Sequence, residues 1–569
     1  MRSRKGRSRV ILRGRIHREA LPTLAFLAAV VLALGIFEWY ARSFWFVGDE
    51  WDFLATNRLA GVDGEAFWRV VLRPHNEHWS TLPRLWYWAA DSQFGLRSYT
   101  PYVTAVILLH LGLAILLWTL LRRLGVQPWI AAGFGSIFAL FGPGAENIFW
   151  GFQVGFVGSA LFGLAAILLA DHDGHDRRRD VLAGFSGLAA LLCSGIGIPF
   201  VVGLGVAICF RRGIRSAAIV VAPLALVFLA WYVAFGRANE ANTVPRSGPS
   251  QWPPYIFVQT TNALEQVSQL PMVGGVVLAL VLAWVGYRLR RDYAVNPRLA
   301  PLYGLLGTAV VLSLTTALGR ASLGVDQARA SRYVYLLAVM LIPVLAVMLD
   351  SLLRRDRRAS VPIAIFMVIA IVGCATAIPR YAFAQGQLVM AQRNALLAAI
   401  SDPLTAKHAA DSFLPYPQLS PDVSLGALRA RAAAGDLPKW IPSDAERAAA
   451  RAATLIGVAP AHGTSGLEPA RVAVEGAAVQ AAADGCLVIV AASSAALARV
   501  AIGPESGVVV TVAPDNLASA DVAFDADPTV PVPIAASGPQ PIAVTTSLPA
   551  KLALRLARAG ATTTVCATP

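Results

Sequence analysis

Three clusters of polar residues interrupt a largely apolar chain, and each contains side chains that could take part in catalysis or bind a ligand. The first is Gly48-Asp49-Glu50-Trp51-Asp52, in which Asp49 and Asp52 share one face if the segment is helical. Two carboxylates on one face can supply a general base or hold a divalent cation through oxygen. The alternative is that these acids begin a helix, whose free N–H groups and dipole favour them.

The second cluster is Arg73-Pro74-His75-Asn76-Glu77-His78-Trp79. Two histidines three residues apart, with Glu77 between them, could bind a metal, orient a substrate or transfer protons. A closed zinc site would need further His or Cys ligands, and the sequence offers no other such cluster on the same predicted side. The alternative is a hydrogen-bonded loop at the membrane interface.

The third cluster combines Pro143-Gly144-Ala145-Glu146-Asn147 with the segment from Gly319 to Tyr333. Its basic residues are Arg320, Arg329 and Arg332, and a guanidinium matches a phosphate with two parallel hydrogen bonds. Arginines that extend from a helix end to the interface are the alternative. The second and third clusters together give the predicted substrate-binding residues: His75, Glu77, His78, Glu146, Arg320, Arg329 and Arg332.

Predicted membrane helices flank these clusters and would hold their side chains in place. The chain has 569 residues, of which 56% are hydrophobic and 14% charged, whereas a soluble globular protein carries roughly 25% charged residues. Because about 20 apolar residues cross a bilayer, the pattern predicts about eleven spans. The segment from Ser194 to Pro199 separates two short predicted spans. The alternative is that this pair forms a re-entrant hairpin and not two full crossings. The predicted spans lie near 21–45, 100–121, 129–142, 154–170, 181–194, 199–210, 216–235, 270–287, 300–318, 333–350 and 360–378.

Orientation follows from the basic residues, which resist translocation near span ends. The loops on one side hold 24 Lys and Arg, against 11 in the longer loops on the other. The count predicts a cytoplasmic N-terminus, a first span kept as an anchor, and an extracytoplasmic C-terminal region. All three polar clusters then share the outer face. The net charge of +14 comes mainly from short arginine clusters between apolar runs, which is a membrane pattern and excludes a nucleic-acid groove.

The sequence predicts two parts in the C-terminal tail. Residues 379–465 predict an extracytoplasmic connector of short helices and Pro-punctuated loops, and residues 466–569 predict a small β-sandwich from short Val/Ala/Thr runs between turn residues. Cys486 and Cys566 bracket the last stretch, and in an oxidising compartment we expect them to form a disulfide. Phe524 is the single aromatic residue after Trp440, which favours a structural cap or assembly surface over a sugar-binding module.

With these features the chain resembles the GT-C superfamily of membrane glycosyltransferases, which use polyprenyl-phosphate sugars as donors. The resemblance covers residues 1–378, with a first outer loop at 46–99, and the outer tail. It implies a GT-C-like polytopic α-helical membrane protein with a C-terminal extracytoplasmic α+β region. Asp49 or Glu50 stands where the family places its catalytic or metal-associated acid. The resemblance thus implies Asp49, Glu50 and Asp52 as catalytic residues, with Mg or Mn at Asp49 and Asp52 left open.

The predicted protein is therefore a multi-pass enzyme of the cytoplasmic (inner) membrane, moving sugar from a polyprenyl-phosphate donor to a cell-envelope glycan or lipid acceptor among membrane lipids. Two alternatives stay open: a transporter or flippase for a lipid-linked glycan, and a non-catalytic scaffold of envelope assembly. Transporters usually carry ionisable groups near the bilayer midplane and internal repeats. The predicted spans are nearly free of charge and show no repeat, which favours chemistry at the interface.

Overall fold

The chain divides into two compact units in the computed structural model. The helical unit comprises Met1–Phe46 and Thr56–Val389, and the tail unit comprises Val47–Ala55 and Met390–Pro569. The structure describes residues 3–59, 66–238, 247–291, 296–461, 463–504, 506–524, 530–531 and 541–568.

Long apolar helices make up most of the helical unit, because Leu and Ala favour helix and runs of Leu, Ala, Val and Ile bury well. The helices of both units, in chain order, are α1 (Ser3–Ala41), α2 (Glu50–Leu59), α3 (Phe67–Leu72), α4 (Thr81–Phe94), α5 (Thr100–Arg123), α6 (Pro128–Ala139), α7 (Glu146–Phe149), α8 (Val154–Ala170), α9 (Arg177–Cys193), α10 (Gly197–Arg212), α11 (Ile214–Ala234), α12 (Trp252–Ser268), α13 (Gly274–Arg291), α14 (Ala300–Arg320), α15 (Ser331–Arg355), α16 (Ser360–Ser401), α17 (Pro403–His408), α18 (Leu425–Ala433) and α19 (Asp444–Leu455).

Seven helical segments within the described part of the chain are long and apolar enough to cross a membrane. The chain is thus an integral membrane protein, and the predicted polytopic helical architecture is confirmed. The other four predicted spans correspond to the shorter helices α6, α9, α10 and α13, so the count of eleven stays a prediction. The seven are Ala20–Ala41, Thr100–Arg123, Gly151–Ala170, Ile214–Ala234, Pro297–Leu323, Ser331–Arg355 and Arg357–Ser401.

Helix α16 continues to Ser401, whereas the sequence predicted its span to end near residue 378. Pro379 lies inside the helix, where it removes one backbone donor. The Ala, Gln, Leu and Met residues that follow have high helix propensity. Ile378, Ala382 and Val389 are buried at helical spacing, so packing carries the helix past the proline.

One end of the helical unit is fixed by arginine–aspartate pairs. Arg212 donates to the two carboxylate oxygens of Asp180 at 2.6 and 2.9 Å, and Arg354 donates to the Gly125 carbonyl at 2.7 Å. Carbonyls at helix C-termini lack helical partners and carry partial negative charge, so arginines there stabilise the ends. We call this the aspartate end; it comprises residues 122–128, 170–180, 210–216 and 350–360.

A buried ion pair organises the helices of the tail unit. Asp402, which is fully buried, caps α17 by accepting the Thr405 N–H at 2.9 Å and lies 2.7 Å from Nη2 of Arg451. Helix α19 begins at Ser443 with a reciprocal capping box to Glu446. The predicted connector therefore contains three short, well-capped helices.

Two antiparallel sheets follow. The strands are β1 (Ile456–Pro460), β2 (Val472–Glu475), β3 (Ala477–Ala481), β4 (Leu487–Ala491), β5 (Leu497–Ile502), β6 (Ser506–Val512), β7 (Leu517–Ala523), β8 (Val530–Pro531), β9 (Ile542–Thr546), β10 (Ala550–Leu556) and β11 (Thr562–Ala567). The first sheet has the order β1-β9-β6-β11-β4-β3, and the second β2-β5-β10-β7-β8.

Side chains from both sheets share one apolar core, so the predicted β-sandwich is confirmed. Ile489 and Val510 of the first sheet and Val500 and Leu552 of the second are all fully buried in it. The first strand begins at Ile456, earlier than the predicted 466. Cys486 and Cys566 are joined by a disulfide, next to buried Val509 and apart from the main core.

Candidate active site

The two histidines of the second cluster form a tight β-hairpin in the helical unit. The His75 N–H donates to the His78 carbonyl at 3.0 Å, and the His78 N–H donates to the His75 carbonyl at 2.9 Å. Asn76 takes a φ of 49°, a left-handed conformation that Asn tolerates better than most residues. The hairpin therefore holds Asn76 and Glu77 at its tip.

Aromatic rings and a glycine hold the imidazoles in place. His75 packs against Phe152 with ring centroids 5.0 Å apart, and His78 packs against Phe156 at 5.5 Å. A Cβ added to Gly195 would lie 2.7 Å from Nδ1 of His78, which is closer than such contacts allow. Glycine at the break between α9 and α10 thus makes room for the hairpin.

Glu77 forms an ion pair with Arg320, which is 243 positions away in the sequence. Nη2 of Arg320 lies 2.8 Å from Oε1 of Glu77. Burial opposes ionisation of Glu77, but the charges of His78 and Arg320 outweigh it, and the pKa of Glu77 lies below its ordinary value of 4.5. Glu77 is therefore a carboxylate at neutral pH, and the hairpin carries a fixed negative charge next to a guanidinium.

Glu146 forms the second pair, with Arg332 at the beginning of α15. Its two oxygens accept from Nη1 of Arg332 at 2.8 Å and from the Arg332 backbone N–H at 3.1 Å. The carboxylate thus satisfies a free N–H of the first helical turn while it orients the guanidinium. Ser331 donates to the Pro143 carbonyl at 2.6 Å, which fixes the Glu146 loop. We call this the glutamate end; it comprises residues 73–79, 143–153 and 320–333.

Tyr255 on α12 connects the two pairs electrostatically, since its phenol interacts with both Arg320 and Arg332. It is 1% exposed and packs against Ala317 and Ala328. Its hydroxyl has no hydrogen-bond partner among the described residues. An unsatisfied buried hydroxyl costs about 1–3 kcal/mol and calls for an explanation. Burial raises the pKa of Tyr255, so the group is a neutral donor.

Tyr255 was not among the residues predicted from the sequence. The available signal was Trp252-Pro253-Pro254 before it, since proline in the first turn marks a helix start. That signal locates the helix, but it does not distinguish this tyrosine from the twelve others in the chain.

Arg329 joins neither pair. It is exposed at the end of a short 3-10 helix, Val325–Arg329, and it makes no ion pair with any residue that the structure describes. The neighbouring Ala328 is buried instead. The structure therefore brings together six of the seven predicted binding residues, as two ion pairs and the histidine hairpin. His78 and Glu77 lie 3.9 Å apart within the hairpin.

The acidic motif belongs to the tail unit. Glu50 is fully buried, and its Oε2 accepts the Val47 N–H at 2.9 Å. Helix α2 begins at Glu50, so this acid does what the helix-start alternative expected. Asp49 and Asp52 are half-buried, which leaves these two as the candidates for chemistry.

No three His, Cys, Asp or Glu side chains gather as a metal-binding group within the described ranges. Mg²⁺ commonly takes one or two protein carboxylates and completes its shell with water and substrate phosphate. A cation held by Asp49 and Asp52 would match that preference and stays a prediction.

Comparison with known proteins gives a structural similarity alone. No family model matches the sequence, and no curated protein matches it. Among solved structures, the chain is similar to the crystal structure of ArnT from Cupriavidus metallidurans in the apo state. The two are 14% identical over 71% of this chain and 84% of that chain, with a TM-score of 0.45.

Proposed function

We propose that this protein is a membrane glycosyltransferase that moves a sugar from a polyprenyl-phosphate donor to a cell-envelope glycan or lipid acceptor. The single observation that carries the proposal is the buried Tyr255 hydroxyl, which lacks a partner among the described residues and interacts with Arg320 and Arg332. Two guanidiniums and a neutral donor form a set that suits a phosphate.

The helix below the arginines supports a substrate with a lipid tail. Val310, Leu314 and Leu318 of α14 are exposed at four-residue spacing, so they form one apolar stripe along the helix. The stripe ends next to Arg320. A phosphate held at Arg320 would place a polyprenyl chain along this surface, where the tail stays in hydrocarbon.

The reaction requires little acid catalysis at the leaving group. An acceptor hydroxyl attacks C1 of the sugar, the bond from C1 to the phosphate oxygen breaks, and polyprenyl phosphate leaves with the electron pair. Arg320, Arg332 and Tyr255 would stabilise the charge that develops on that oxygen. Glu77 and Glu146 hold the two guanidiniums in position before substrate arrives, so little reorganisation is needed during the reaction.

The histidine hairpin would position the sugar or the acceptor. His75 and His78 are fixed from behind by Phe152 and Phe156, while Asn76 and Glu77 at the tip are exposed. Carboxylate and amide groups are suited to sugar hydroxyls as hydrogen-bond partners. Asp49 remains the predicted base that takes the acceptor hydroxyl proton.

A transfer assay tests the proposal. Purified protein is incubated with a panel of radiolabelled polyprenyl-phosphate sugars and envelope acceptors, and the labelled product is measured. We expect transfer with one donor, and its loss in Asp49→Asn with expression and folding intact. Binding of a lipid-linked glycan without transfer would favour the transporter, and neither binding nor transfer would favour the scaffold. Full activity of Asp49→Asn would remove Asp49 as the base.

A further inference from the structure

A groove between α9 and α11 at the aspartate end has the properties of a separate lipid site. Its volume is about 570 Å³, within the range of pockets that enclose small molecules. Val220 and Leu224 are buried at its floor, whereas Phe185 and Ile219 at the rim are exposed. The groove is therefore an apolar channel that is open along one side.

The polar mouth of this groove carries an excess of positive charge. His175, Arg177, Asp180 and Ser216 line it. The four aspartates of the adjoining loop are already engaged. They are Asp171 and Asp173 with Arg211 at 3.6 and 3.3 Å, Asp176 with the Arg179 N–H at 3.1 Å, and Asp180 with Arg212 at 2.6 Å.

His175 and Arg177 have no such partner. Both are exposed, and neither makes an ion pair or hydrogen bond with residues in the described part of the chain. Arg178 and Arg215 nearby are exposed as well. Three of the local carboxylates are thus paired with Arg211 or Arg212, and the fourth, Asp176, accepts a backbone N–H at the start of α9. Arg177 at the groove mouth is therefore left to bind an anionic ligand.

From this complementarity we propose that the groove binds an anionic glycerophospholipid. One acyl chain lies between α9 and α11, and the phosphate is bound by Arg177 and His175. Basic pockets between membrane helices attract anionic headgroups at close range, and each buried methylene of a chain adds to affinity. The site lies at the aspartate end, so it does not depend on the proposed transferase activity.

Gly184 makes the acyl channel testable. It lines the groove, and a Cβ added there meets no atom within 4 Å. Gly184→Phe would therefore place a ring in the channel at a position where the backbone has room for a side chain. Gly286 on α13 also faces open space but does not line the groove, so Gly286→Phe is a matched control.

Native mass spectrometry of the purified full chain, with phosphatidylglycerol and phosphatidylcholine of equal chain length as probes, tests the proposal. We expect the wild type to retain phosphatidylglycerol preferentially. Arg177→Gln should lower that preference about fivefold, the effect of one basic residue near an anionic headgroup. Arg178→Gln removes an equal charge one position away, outside the groove lining, and should not. Gly184→Phe should lower retention of both lipids, and Gly286→Phe neither.

Unfolding temperatures confirm that each variant is folded before its lipid retention is compared. Equal retention of the two lipids by the wild type would overturn the proposal. So would an equal loss in Arg177→Gln and Arg178→Gln, which would indicate diffuse surface attraction, or unchanged retention in a folded Gly184→Phe variant.

Discussion

The two ends of the helical unit are both rich in arginine, but they use it differently. Arg212 at the aspartate end is 5% exposed, and besides Asp180 it donates to the carbonyls of Ala170 and Gly174. Arg332 at the glutamate end is 31% exposed, with Glu146 18% exposed. The Arg212 guanidinium is bound by groups of the protein itself, whereas the Arg332 guanidinium keeps exposed donors that can bind a ligand.

This difference shows that arginine count alone does not identify a binding site. What separates Arg212 from Arg332 is how many carbonyls and carboxylates already occupy the guanidinium. Near Arg332 the structure also buries a hydroxyl that has no partner among the described residues. Four experiments test this difference.

Arg332→Gln should have the largest effect. Loss of a preorganised donor to a developing oxyanion costs about 10² to 10³ in rate, so we expect transfer to fall by that factor. The measurement is kcat in the radiolabel assay. Arg354→Gln removes an arginine of the aspartate end that pairs with Asp350 and should leave kcat unchanged. Equal losses in both variants would mean that the two ends do not differ as described.

Asp180→Asn should mainly reduce stability. It leaves the buried Arg212 guanidinium without its carboxylate, and breaking such a pair costs about 3 kcal/mol. We expect a lower free energy of unfolding in detergent and normal activity per folded molecule. A stable variant that has lost activity would contradict the assignment of this end to structure.

Tyr255→Phe should lower transfer without destabilising the protein. A hydrogen bond to a charged group contributes about 1.5–3 kcal/mol, so we expect roughly a tenfold loss or more in kcat. The free energy of unfolding should stay equal or rise, because the lost hydroxyl has no partner in the described structure.

Tyr335→Phe is the matched control for that change. The Tyr335 hydroxyl lies 3.0 Å from Nδ1 of His110, so its removal should cost about 1 kcal/mol of stability and spare kcat. The reverse pattern, with Tyr255→Phe destabilised and fully active, would assign Tyr255 to packing.

Glu77→Gln should have the smallest effect on stability of these changes, visible in the pH dependence of unfolding. The pKa of Glu77 in the folded protein lies below its ordinary 4.5. The contribution of Glu77 to stability is therefore complete above that ordinary value and is lost as the pH falls through the folded pKa. Thermal unfolding from about pH 5 to 3 should decline less steeply in the variant than in the wild type. Glu468→Gln, at an exposed tail position, should leave the slope unchanged.

Periodicity and hydropathy predicted the elements well. The 25-residue α15 could be identified from its apolar run, and β4 shows the alternating burial expected of a sandwich strand. These features are local, so a single sequence contains them. The continuation of α16 was missed because its polar residues after Pro379 resemble a connector unless their packing is known.

The pairing of charged side chains within the site could not be predicted from the sequence. Glu146 and Arg332 were predicted on one face, but their bond joins residues 186 positions apart, and no local spacing specifies it. Arg329 has the same residue type and loop as Arg332, yet it lies outside the helix start that Glu146 caps. Tyr255 matters through burial beside charge, which depends on how α12 packs against its neighbours.

The close approach of Gly195 to His78 has a consequence for evolution. Because a Cβ at position 195 would collide with the imidazole, the two positions cannot vary independently. Homologues that carry alanine or serine at 195 should carry a smaller side chain than histidine at 78.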